Sequence, residues 1–126
     1  MTKENQVYDL ENRLIEFAVG IIELTEFLPK TRVGKHVGGQ ILRSGTSPAS
    51  NYGEAQGAES RSDFMHKIRI SLKELRETRV WLKIIEKTKL VKPGFKLGAL
   101  LEENNQLISI FMASIKTATD NKSKTS

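Results

Sequence analysis

The sequence has no cysteine, and among its 126 residues only three prolines, two histidines and one tryptophan. Without thiols there can be no disulfide, zinc-thiolate site, iron–sulfur cluster or thiol redox catalysis, which suits a reducing compartment. Two histidines, His36 and His66, cannot supply the paired Glu-x-x-His motifs of a carboxylate-bridged di-metal bundle; only Asp63 and His66 share that spacing. No metal and no cofactor are expected. Long apolar runs are also missing, each far short of the ~20 residues a membrane span needs. The polar start, MTKENQVYDLENR, lacks the charged-then-apolar order of a secretory signal, so a cytoplasmic protein with no membrane partner is expected. No nucleophile elbow occurs, and the glycines from Gly34 to Gly39 are not followed by the Gly-Lys-Ser/Thr ending of a phosphate-binding loop. No catalytic residue is assigned, and the chain is expected not to be an enzyme.

What is present is helical periodicity. Leu10, Leu14, Phe17, Ile21, Leu24 and Leu28 follow steps of three and four, the stripe of a helix packing in a bundle from about Tyr8 to Leu28. Ile15, Val19 and Ile22 widen its buried face beyond a two-stranded seam, so more than one neighbour is expected, and Pro29 ends it. From Thr31 to Gly57 six glycines each weaken a helix by about 0.5–1 kcal/mol. Yet Val33, Val37, Ile41, Ser44, Pro48, Asn51, Ala55 and Ala58 keep helical spacing, so a second helix is expected, kinked near Pro48. Ser47 capping a new helix that starts at Pro48 is the alternative. Ser60 or Ser62 then caps a third helix reaching about Lys87, with Phe64, Ile68, Leu75, Leu82 and Ile85 on one face. Pro93 and Gly94 break the next connection. Leu97, Leu100, Leu101, Leu107, Ile108, Phe111, Met112 and Ile115 give a fourth helix ending near Thr119. The spacing therefore predicts an all-α, antiparallel up-down-up-down four-helix bundle over residues 1–119, followed by a disordered polar tail at 120–126.

A hairpin turning near Glu59 brings opposite each other residues whose numbers sum to roughly 119, given equal rise on both helices. Arg43 then lies level with Arg76 and Glu77, Ser47 with Leu72, and Asn51 with Ile68. Arg43, Ser47, Asn51, Glu54, Glu74 and Glu77 form a polar cluster between the second and third helices. It is either a small-molecule-binding or enzymatic site, or a set of structural pairs in which Arg43 meets Glu74 or Glu77; paired charges are the commoner use of such residues.

The net charge is +5, which permits an acidic partner such as RNA or DNA without demanding one. Arg69, Lys73, Arg76, Lys83 and Lys87 share a stripe of the third helix. With Lys35 and Arg43 from the second helix they form the candidate nucleic-acid contact; the competing reading is a solvated face neutralised by Glu74, Glu77 and Glu86. The aromatics sit mostly at core spacing, which disfavours base stacking. Ile70, Trp81 and Ile84 occupy a different face of the same helix. Either Trp81 folds over its own bundle or these three residues meet another subunit, and the subunit contact is the expectation.

Leu28 to Lys30 (LPK), Gln40 to Ala55 (QILRSGTSPASNYGEA), Ser62 to Ile68 (SDFMHKI) and Lys73 to Ile85 (KELRETRVWLKII) together resemble a bacterial family of four-helix bundles. These were first noted as products of intervening sequences in large-subunit ribosomal RNA genes. The resemblance spans nearly the whole chain. It implies an all-α up-and-down bundle assembling into a ring-like homopentamer, with no established enzymatic activity and a link to RNA through gene location. It marks Arg43, Ser44, Ser47, Asn51, Glu54, Phe64, Glu74, Glu77, Thr78 and Leu82 without assigning any of them a chemical task.

Overall fold

Each apolar stripe becomes one buried side of a helix in the computed structural model, which describes the backbone of residues 3–125 and the side chains of residues 9–121. The helices are α1 (Lys3–Phe27), α2 (Arg32–Gln56), α3 (Arg61–Thr88) and α4 (Leu97–Thr125). The α1 backbone begins five residues before Tyr8. Thr31 caps α2 by accepting from the Gly34 N–H, and Ser60 caps α3 by accepting from the Asp63 N–H. Each hydroxyl satisfies an amide that the first turn leaves without an intrahelical partner. Lys89, in the left-handed region at φ 55°, ends α3.

Packing follows chain order. α1 lies on α2, α2 on α3, α3 on α4, and α4 returns to α1; diagonal helices meet only through side chains across the core, as Tyr52 of α2 does with Phe111 of α4. The α2–α3 seam is the most extensive contact and the α1–α4 seam the sparsest. Leu14, Ile21, Leu24, Ile41, Leu75, Leu82, Ile85, Leu107 and Phe111 form the centre of the core. The result is the antiparallel four-helix bundle that the periodicity implies.

One alternative is decided and two local expectations are corrected. α2 runs unbroken through Pro48, so Ser47 does not open a separate helix. Proline removes the one N–H that would bond the Ser44 carbonyl, and Pro48 is fully buried in the core. Ile15, Val19 and Ile22 do not widen the buried face of α1; they stay 45%, 42% and 46% exposed. With only two neighbours, α1 has already spent its contact surface on the Leu14–Leu28 stripe. The fourth helix does not end near Thr119 but continues through the polar residues 120–125, since nothing after Gly98 is a proline or glycine. Ser126 lies outside the described residues.

Gly45 and Gly34 are two positions in α2 where a neighbour leaves no room for a side chain. A Cβ on Gly45 would come within 2.8 Å of two Ile21 side-chain carbons, and one on Gly34 within 1.9 Å of the Pro29 carbonyl oxygen. The outer glycines Gly39 and Gly53 face open space.

Candidate functional site: the α2–α3 seam and its outer faces

The register expected from a turn near Glu59 is the one observed. Arg43 donates through one terminal nitrogen to Glu74 Oε2 at 2.8 Å and through the other to Glu77 Oε2. Trp81 Nε1 donates to that same Glu77 oxygen at 3.0 Å. Asn51 Nδ2 reaches the Ser47 carbonyl at 3.0 Å and Ser47 Oγ at 2.8 Å. Lys67 pairs with Glu54 at 2.7 Å, and this hydrogen bond with Glu54 is the main reason its pKa is raised. Every charged member of the polar cluster thus has a partner within the molecule. The arrangement is a brace between two helices, with no carboxylate left unpaired to act as a base.

Deeper in the seam the hydroxyls of Ser44 and Thr78 lie 2.9 Å apart, and both residues are fully buried. Thr78 Oγ1 is also 2.8 Å from the Glu74 carbonyl. A carbonyl only accepts, so Thr78 donates to it and takes its second bond from the Ser44 hydroxyl. Ser71 repeats the pattern one layer along, bonded to the Lys67 carbonyl at 3.0 Å and lying 3.5 Å from that of Pro48. Arg43, Ser44, Ser47, Asn51, Glu54, Glu74, Glu77 and Thr78 therefore belong to one continuous seam, while Leu82 is core and Phe64 packs against it.

Arg43, half-exposed, is committed to its two glutamates, which takes it out of the free basic set. Lys35, on α2, is exposed. On α3, Arg69, Lys73, Arg76, Lys83 and Lys87 are all exposed, and none forms a salt bridge with a described residue. Glu74 and Glu77, which could have neutralised this row, are turned to Arg43 instead.

Trp81 folds over the edge of its own bundle, its indole edge-on to His36 with ring centroids 6.0 Å apart. Ile70 and Ile84 are likewise half-buried, whereas Val80 beside them is 54% exposed.

Asn104 is a site that the sequence reading passed over. It is 0% exposed, donates through Nδ2 to the Leu75 carbonyl at 3.1 Å, and has no partner for Oδ1 among the described residues. Its signal was a polar residue at a core position, between Leu100–Leu101 and Leu107–Ile108. Arg13 was also missed. It clips α1 to α4 through Glu103 at 2.6 Å and Gln106 at 3.0 Å, and the hydrogen bond to Glu103 raises its pKa. Beyond it the α1–α4 seam opens into a groove of about 940 Å³ lined by Leu10, Tyr52, Phe64 and Ile68 among others. Among the described residues no three His, Asp or Glu side chains converge as metal ligands, and no helix is long and apolar enough to cross a membrane.

An antiparallel four-helix bundle held by a buried hydroxyl seam and an arginine–glutamate brace is the class these observations define. Residues 4–112 match the family model of the 23S rRNA-intervening sequence protein, and the chain belongs to that family. A crystal structure from Bacteroides thetaiotaomicron, of a protein with unknown function from the S23 ribosomal protein family, is similar. It has 34% sequence identity and a TM-score of 0.78, with 85% of this chain and 98% of that one covered. No curated protein matches the sequence.

Proposed function

We propose that this chain is a non-enzymatic, self-assembling bundle, a homo-oligomer and by family resemblance a pentamer. It acts as a scaffold or adaptor that engages the phosphates of RNA or DNA through the outer face of α3. The observation that carries the reading is the row Arg69, Lys73, Arg76, Lys83 and Lys87, exposed and without a salt bridge to any described residue, with Glu74 and Glu77 turned to Arg43. Cations in a row along a helix neutralise backbone phosphates without reading sequence. Copies in a ring would add their weak contacts.

The test is binding of a labelled nucleic-acid duplex across a salt series. Five phosphate contacts give a fall in affinity of about 500-fold between ~50 and ~200 mM monovalent salt. Arg69→Glu with Arg76→Glu removes two contacts and flattens the dependence. A duplex that binds with no salt dependence, or fails to bind at low salt, sinks the reading.

A further inference from the structure

We infer that the end of the bundle where α1 turns into α2 and α3 into α4 binds single-stranded nucleic acid, with a base stacked on Phe27 and adjoining phosphates on Lys30, Lys92 and Lys96. This surface adds to the phosphate contacts read above on the outer face of α3 and uses none of their side chains.

Phe27 is the last residue of α1 and is 67% exposed. Leu24 and Leu28 are buried, so Phe27, between them, falls off the inward stripe of the helix. Among the described residues it is the one aromatic side chain that is exposed, the others being buried or half-buried. Its ring rests against Phe95 of the α3–α4 connection, with centroids 5.3 Å apart and planes tilted by 54°. Phe95 is itself half-buried against the core. The contact supports Phe27 and leaves most of its surface to solvent.

Phe95 sits in a tight turn, its N–H donating to the Lys92 carbonyl at 3.3 Å, with Gly94 at φ 112°. Lys92 precedes it by three residues and Lys96 follows it directly, while Lys30 follows Phe27 by three. All three lysines are exposed, and none forms a salt bridge with a described residue. Residues 26–32 and 86–96 hold six lysines and arginines against two glutamates, Glu26 and Glu86. Lys87, where the α3 row ends, is among the six, so the two positive surfaces adjoin.

An exposed ring among lysines suits an unpaired strand, which offers the free face of any base together with backbone phosphates. In a duplex those faces are already taken by neighbouring bases. An anionic lipid surface also matches a phenylalanine ringed by lysines. The positive surface, however, turns the corner at Lys87 and runs on along the side of α3. A bending strand can follow that path and a flat bilayer cannot.

The experiment is fluorescence anisotropy of labelled oligothymidylate and oligouridylate with the full chain at low salt, circular dichroism confirming the fold of each variant. Phe27→Ala should weaken binding by about 5–150-fold, the usual effect of losing one stacked base. Phe27→Leu should weaken it too, and Phe27→Trp should preserve it. Lys92→Gln with Lys96→Gln should lower the slope of log affinity on log salt by about 1.4. A strand of abasic sites should bind the wild type and Phe27→Ala alike. Oligonucleotides that do not bind the wild type, an unchanged affinity in Phe27→Ala, or Phe27→Leu binding as well as Phe27→Trp overturns the inference. Anionic vesicles that bind in a Phe27-dependent way, when the oligonucleotides show no such dependence, overturn it in favour of a lipid surface. Arg69→Glu with Arg76→Glu should leave the ratio between wild-type and Phe27→Ala affinities unchanged. Failure of duplex binding alone overturns the reading of the α3 face and leaves this site standing.

Discussion

Ser44 on α2 and Thr78 on α3 share a hydrogen bond of 2.9 Å between two hydroxyls that no solvent reaches. A buried hydroxyl without its hydrogen bond costs about 1–3 kcal/mol, whereas removing both partners together can be nearly neutral. Ser44→Ala leaves Thr78 with its bond to the Glu74 carbonyl, so it falls at the low end of that range. Thr78→Val strands Ser44 and costs more. The double variant Ser44→Ala with Thr78→Val should be more stable than the sum of the singles implies, by at least ~0.5 kcal/mol in urea unfolding. Strict additivity would mean that the two hydroxyls do not interact.

The glycines of α2 divide into two kinds with opposite expected signs. Gly39 and Gly53 face open space, so Gly39→Ala and Gly53→Ala should each raise stability by about 0.5–1 kcal/mol through helix propensity. Gly45→Ala gains the same propensity but drives its Cβ to 2.8 Å from Ile21. A branched core side chain held on another helix cannot yield cheaply, so this variant should be destabilised, by about 1–3 kcal/mol. Thermal or urea midpoints for the three variants decide it, and a stabilised Gly45→Ala would show that α1 and α2 approach less closely than described.

Tyr52 is buried edge-on against Phe111, with ring centroids 6.0 Å apart. Burial, with a smaller contribution from the Glu11 charge, raises its pKa above the ordinary value of 10.0. The folded state thus holds the phenol proton more tightly than the unfolded chain. The associated stability is fully present below about pH 10 and is lost as pH climbs through the folded pKa. Tyr52→Phe should show a shallower loss of stability above pH 10 than the wild type, measured by urea unfolding across a pH series. Identical pH slopes would count against a buried phenol.

Asn104 differs from its core neighbours in what its truncation removes. Leu107→Ala should cost about 2–5 kcal/mol, the usual consequence of deleting a fully buried leucine. Asn104→Ala gives up a bond to the Leu75 carbonyl but also an acceptor that has no partner, so it should cost less than the leucine change. Paired urea unfolding curves test the ranking.

The seam and the outer surfaces were not equally legible in the sequence. Equal rise per residue fixes which residues of a tight hairpin stand opposite each other, so the level of Arg43 with Glu77 could be read from position alone. Which acids Arg43 would take could not, because Glu74 and Glu77 stand one turn apart and both lie within reach of a long guanidinium side chain. Periodicity likewise marked Ile15, Val19 and Ile22 as apolar but could not say whether a neighbour covers them. Asn104 was hidden for the converse reason, as a polar letter at a core position whose burial only packing reveals.

The sequence by itself determined four helices, their antiparallel order and the pairing level of α2 with α3, because helix period, caps and short turns are local or follow from rise per residue. Tertiary structure alone decided between a helix running through Pro48 and one capped by Ser47, brought Gly45 against Ile21, and left one apolar line of α1 facing outward. These outcomes depend on how many neighbours a helix has and how close they come, quantities set by the whole bundle and written in no single segment of the chain.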